Sequence, residues 1–277
     1  MANGRARTAR LPALVLAVAV VALLVGAMAV KSRLGHPSAA PVSSSLPAPP
    51  LLAGAPKLLP WPAEPAASVP ALGYDVSHPQ CNKTLPTDGG FGIVGVTGGR
   101  PFSSNKCVGA QLSWAVTKSG HAVYVNTGFP GIGDPVAYGT AIANDAVARE
   151  HAQVSRGTAV WWLDVESANT WAGTTQQNAT VLDAIASRLQ QLGARVGIYS
   201  TPQMWADIAG AWSPGLPVWY ATGPGTAQSA SLACTGTFAG SPTALVQWVQ
   251  RTKQGEFDHN MICPAYQNRA RELLDLG

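Results

Sequence analysis

Chemistry is first suggested by two carboxylates set two residues apart in an otherwise apolar run, Trp161-Trp162-Leu163-Asp164-Val165-Glu166. Side chains alternate along a strand, so Asp164 and Glu166 must point to the same side and share one site. Acids crowded together resist ionising together. One is expected to be held protonated and its neighbour left charged, a division that suits a general acid working beside an anion. Two more acids stand in similar runs, Asp75 in Gly73-Tyr74-Asp75-Val76-Ser77-His78 and Asp258 in Phe257-Asp258-His259-Asn260. If the chain closes into a barrel, its first and last strands become neighbours, and Asp75 and Asp258 join the central pair on one face.

The elements that would position these acids follow from patterning. Short β-rich runs are read at Leu72 to Ser77, Phe91 to Thr97, Ala122 to Asn126, Val160 to Glu166, Val196 to Ser200, Pro217 to Ala221, Leu245 to Val249 and Glu256 to His259. Helical spacing is read at Val108 to Ser119, Ala137 to Val154, Thr175 to Gly193 and Pro202 to Ala209. The third of these carries Val181, Leu182, Ile185 and Leu189 on one stripe and ends at Gly193. Alternating strands and helices imply a largely parallel sheet. The expected fold is an α/β, TIM-like (β/α) barrel of about eight mostly parallel strands, with some outer helices missing or reduced because the later loops are short.

Composition divides the 277 residues into three parts. Residues 11–30 form an uncharged apolar run behind Arg5, Arg7 and Arg10. That order marks residues 1–35 as an export signal, cleaved near Ala29, or as a retained signal anchor. Residues 36–70 are rich in Pro, Ala and Ser and read as a disordered linker. Residues 71–277 remain as the folded domain. The net charge of +4 is misleading, because six of the 18 Lys and Arg precede residue 71 and leave 12 bases against 13 acids in the domain. With no basic, aromatic-studded patch there, nucleic acid is not an expected partner, and a membrane is expected only through the N-terminal segment. Oligomeric state is left open.

Cys81, Cys107, Cys234 and Cys263 all fall in the exported part, where an even count favours two disulfides. Three pairings are possible. Cys81 with Cys107 and Cys234 with Cys263 are expected, each closing a loop of about 25 to 30 residues worth roughly 3 kcal/mol. No cysteine has a second cysteine or histidine at ligand spacing, so no metal is expected, and nothing calls for a cofactor. Trp162, Trp171, Trp219 and Trp248 offer flat faces for sugar stacking or for core packing, whereas Trp161 is expected to face outward under the helices. His78 and His259 flank proposed acids and read as loop or supporting residues.

At this point the domain resembles the family 25 glycoside hydrolases, lysozymes that cut the β-1,4 bond between N-acetylmuramic acid and N-acetylglucosamine. The resemblance rests on the order of several short segments. Gly73-Tyr74-Asp75-Val76-Ser77 is similar to the opening strand, Leu163-Asp164-Val165-Glu166 to the central acidic strand, and Gly197-Ile198-Tyr199-Ser200 to the strand that follows. Val246-Gln247-Trp248 and Phe257-Asp258-His259-Asn260 match the penultimate strand and the closing acid. It implies Glu166 as general acid, Asp164 as the group that orients the N-acetyl group or stabilises developing charge, and Asp75 and Asp258 as residues that tune this pair. Tyr74, Trp162, Tyr199, Gln247 and Trp248 are then expected to contact substrate, a peptidoglycan glycan strand. Two departures leave a catalytically inactive carbohydrate-binding barrel as the alternative. Thr97-Gly98-Gly99 stands where Thr-Glu-Gly is usual, and Tyr124-Val125-Asn126 stands where Tyr-His-Phe is usual, the second being expected to alter the floor beside the acids.

Overall fold

The computed structural model describes residues 69–252 and 255–277. The segments expected as export signal, anchor and cleavage site, and nearly all of the expected linker, lie outside these residues. Among the described residues no helix is long and apolar enough to cross a membrane.

In chain order the elements are β1 (Leu72–Val76), β2 (Phe91–Gly95), α1 (Val108–Ala115), β3 (Gly120–Asn126), α2 (Pro135–His151), β4 (Val160–Asp164), α3 (Thr175–Gln191) and β5 (Arg195–Ser200). They continue with α4 (Pro202–Ala209), β6 (Val218–Pro224), α5 (Ala227–Ser231), β7 (Thr237–Phe238), β8 (Ser241–Thr252) and β9 (Gly255–Ile262). Strands β1 to β6 pair in sequence order, all parallel. Closure comes from β8, parallel to β6, and from β9, antiparallel to both β8 and β1. The result is a closed barrel of eight mostly parallel strands, with β7 as a two-residue addition to β8. Between β1 and β2 there is only a 3-10 turn, His78–Gln80, where an ideal barrel carries a helix.

The last two strands depart from the sequence reading. Instead of a short eighth strand, β8 and β9 form a long antiparallel hairpin, because two residues between Thr252 and Gly255 are too few for a parallel crossover. The short α5 was not expected either.

Local rules explain the helices well. Thr174 caps α3 by accepting from the backbone N–H of Gln177, whose side chain bonds back to Thr174 N–H. Asp134 caps α2 ahead of Pro135, and Thr201 caps α4 ahead of Pro202. Their apolar stripes bury Ile142, Val181, Leu182, Ile185, Leu189, Trp205 and Ile208 against the outward residues of the barrel, among them Val94, Val123, Trp161, Leu163 and Ile198. Trp161 thus lies under the helices, as its position on the strand requires.

A second core fills the barrel itself. Phe91, Ile93, Ala122, Val160, Trp162, Trp219, Leu245 and Ile262 pack together with Tyr266, Leu273 and Leu274 of the C-terminal segment. Space for Trp162 depends on Gly197, where a Cβ would lie 2.3 Å from the indole ring. This plug leaves the inward positions near the carboxyl ends of the strands for polar groups. Disulfides Cys81–Cys107 and Cys234–Cys263 are both formed, each with a Cα separation of 5.4 Å. They tie the 3-10 turn after β1 to the start of α1, and the segment before β7 to the end of β9.

Candidate active site

Strand register sets the site. Asn126, Asp164 and Tyr199 are side by side on β3, β4 and β5, while Asp75 faces Asp258 across β1 and β9. Glu166 follows two residues beyond Asp164, just past the end of β4. These residues line one open cavity of about 380 Å³ together with Tyr124, Trp219 and Gln247, a volume within the range of small-ligand sites. Asp75, the Asp164–Glu166 pair and Asp258, far apart in the chain, are therefore brought to a single opening.

Each carboxylate is held differently. Asp75 is buried, and its Oδ2 accepts from Asn260 Nδ2 at 2.7 Å and from Gln247 Nε2 at 3.0 Å. Tyr199 orients Gln247 by donating its hydroxyl to Oε1 at 2.9 Å. Asp164 is buried and accepts from Asn126 Nδ2 at Oδ2, while its Oδ1 has no hydrogen-bond partner. Asn169 Nδ2 donates to the Asp164 carbonyl, and Trp171 Nε1 donates to the carbonyl of Glu166, which fixes the loop beyond β4 from behind. Glu166 is only half-buried.

All four acids are pushed above the ordinary carboxylate range, and at each of them burial is the first cause. Repulsion comes second, from Asp258 at Asp75, from Glu166 at Asp164, and from Glu256 and Glu166 at Asp258, which is raised to about 6. The expected division by repulsion alone thus gives way to a common upward shift with unequal opposition. Asn126 and Asn169 favour the charged form of Asp164, Asn260 and Gln247 that of Asp75, and Tyr199 that of Glu166. The arrangement can supply a protonated acid near solvent and, beneath it, a second carboxyl whose charged form neutral donors favour against burial and repulsion.

Of the expected substrate contacts, Tyr199 and Gln247 line the cavity and three others do not. Tyr74 points away from the barrel interior, donates to Asp88 Oδ2 at 3.0 Å and packs on His259. Trp248 also lies on the outer side, stacked on His259 at 5.3 Å. Each is one residue from an inward polar residue, Asp75 or Gln247, and strand alternation sends it outward. Trp162 does point inward, but it is fully buried, edge-on to Trp219, in the plug below. Val125 also differs from expectation, since it is buried on the helix side and leaves the floor beside the acids to Asn126. At the other departure, a Cβ on Gly98 would lie 2.6 Å from the Ser104 carbonyl oxygen, so this loop has no room for a side chain there.

Among residues not singled out for the site, Tyr124 and Asn126 line it and His78 stands at its exposed rim. An asparagine in phase with Tyr124 at the end of an apolar strand is the signal that could have found the pair.

Three comparisons accord with this geometry. A family model described as lysozyme-like protein 1 matches residues 145–235, which include β4, α3 and β5. A relative from Dictyostelium discoideum named probable GH family 25 lysozyme 4 is 36% identical over 66 residues, 23% of this chain. The chain spans only 30% of that relative's length. A bacterial lysozyme from Streptomyces coelicolor superposes with a TM-score of 0.54 at 19% identity, covering 73% of this chain and 98% of that one. A muramidase from Acremonium alcalophilum gives a TM-score of 0.54 at 17% identity with the same coverage. At such identities these two structures speak for the fold.

Proposed function

From the match of residues 145–235 to the lysozyme-like family model and the likeness to a family 25 lysozyme, we propose that this chain is a divergent family 25 glycoside hydrolase that hydrolyses the β-1,4 bond between N-acetylmuramic acid and N-acetylglucosamine in peptidoglycan. The convergence of Asp75, Asp164, Glu166 and Asp258 on one open cavity carries this reading. Glu166 is the general acid, because it is the half-exposed member at the end of β4 and burial keeps its proton on. It donates that proton to the glycosidic oxygen as the bond to the anomeric carbon breaks. Asp164, whose charged form Asn126 favours, faces the positive charge that develops on the sugar or orients its N-acetyl group. Water completes the reaction by adding to the anomeric carbon and returning a proton to Glu166. Asp75 and Asp258 hold the geometry and charge of the pair, while Tyr199 and Gln247 meet the glycan. No cofactor or metal enters.

The enzyme acts outside the cytoplasm in this reading, secreted or tethered through residues 11–30, and the two disulfides support that placement. The second reading, a barrel that binds glycan without cutting it, draws on Gly98, where the loop excludes the side chain usual in the resembling family. Purified full-length protein incubated with peptidoglycan separates the two. Release of reducing ends, lowered about 10²- to 10⁴-fold in Glu166→Gln, supports hydrolysis. Sedimentation with the polymer without turnover supports the binding barrel, and the absence of both binding and turnover overturns the glycan reading.

A further inference from the structure

We propose that Asn126 is a positioning residue for Asp164, a one-way amide clamp that fixes one carboxylate oxygen by a donor of set direction. The inference deepens the hydrolase reading and rests on it for the link to turnover. Asn126 is buried at the end of β3, directly beside Asp164 in register. Its Oδ1 accepts two hydrogen bonds, from the Thr97 hydroxyl at 2.7 Å and from Gly99 N–H at 3.2 Å. Gly99 N–H can only donate, so the amide atom it faces must be Oδ1, and the Thr97 hydroxyl, which accepts the backbone N–H of Asn126 at 3.0 Å, sends its proton there. With Oδ1 occupied by two donors, only the Nδ2 end of the amide can face Asp164, and it donates there to Oδ2.

The supporting loop is equally constrained. Gly98 N–H is bound to Ser103 Oγ at 2.9 Å, and the Ser104 carbonyl fills the space a side chain at 98 would need. This seats Gly99 N–H against Asn126. Asp164 Oδ1, by contrast, is buried and has no hydrogen-bond partner among the described residues, although Asp164 lines the cavity. The groups that face Asp164 are Glu166 just beyond its own strand, Asp75 from β1, Tyr124 from β3 and Tyr199 from β5, with Asp258 of β9 lining the same cavity. Among the described residues no lysine or arginine lines it. Neutral amide donors are therefore what favours the charged carboxylate, Asn126 foremost.

The test follows the Asp164 carboxyl by ¹³C NMR through a pH titration of the full-length chain, in parallel with kinetics on peptidoglycan. In Asn126→Ala the Asp164 midpoint should rise by about one unit or more. The acid limb of kcat/KM should move to higher pH with it, and kcat should fall at least about tenfold while KM changes little. An unchanged Asp164 midpoint, or a loss of rate with an unmoved pH profile, overturns the proposal. If Asn126→Ala does not fold, the wild-type protein still decides: the Asn126 side-chain amide resonances must shift with the Asp164 midpoint, and a flat response overturns the clamp. Absence of turnover in the wild type refutes the hydrolase reading alone, since the NMR titration judges the clamp independently.

Discussion

Asp258→Asn should make the protein more stable at neutral pH even as it damages the site. Asp258 sits opposite Asp75 in the β9–β1 pairing, buried enough that its pKa rises from 3.8 to about 6, with Glu256 and Glu166 adding to burial and Lys83 opposing. The folded chain thus holds this proton more tightly than the unfolded chain does. Stability from this group is complete below its ordinary pKa and is lost as pH climbs through about 6. A shift of this size corresponds to about 3 kcal/mol at roughly 1.4 kcal/mol per unit. Asparagine stands in for the protonated acid and cannot ionise, and its neutrality also relieves Asp75, which Asp258 pushes upward. Urea unfolding of full-length wild type and variant, followed by tryptophan fluorescence, should show the variant about 3 kcal/mol more stable at pH 7.5 and the two nearly equal at pH 3.5. A variant no more stable than wild type at pH 7.5, or a gap that persists unchanged in acid, would refute the account of burial and repulsion at this site.

Tyr199→Phe removes the hydroxyl that favours the charged form of Glu166 and orients Gln247. The Glu166 pKa should then rise, and the alkaline limb of the pH–rate profile should move to higher pH. Replacing Cys234 and Cys263 together by serine opens a cross-link of sequence separation 29. Chain entropy sets the expected loss at about 3–4 kcal/mol, to be read from denaturation midpoints of the oxidised proteins.

Much of this protein was legible in the linear chain, for a local reason. Strand alternation put Asp164 and Glu166 on one side and Trp161 on the other, and both relations depend only on adjacent residues. The caps Thr174, Asp134 and Thr201 mark helix starts through contacts two or three residues away, and the stripe on α3 follows from helical period. The same alternation, applied to Tyr74 beside Asp75 and to Trp248 beside Gln247, already sends both tryptophan and tyrosine to the outer face.

Tertiary structure decided depth, closure and charge. Trp162 shares its face with Asp164, yet only the packing of Trp219 and the opening left by Gly197 show that it lies in the plug and not in the cavity. Asp75 reaches its final setting through Gln247 and Asn260, 172 and 185 residues away, and no local pattern encodes contacts at such separations. The role of Asn126 emerges only when Thr97 and Gly99 are brought beside it. Burial then raises all four acids together. Desolvation belongs to the folded surroundings of a group, whereas alternation and capping belong to the chain itself.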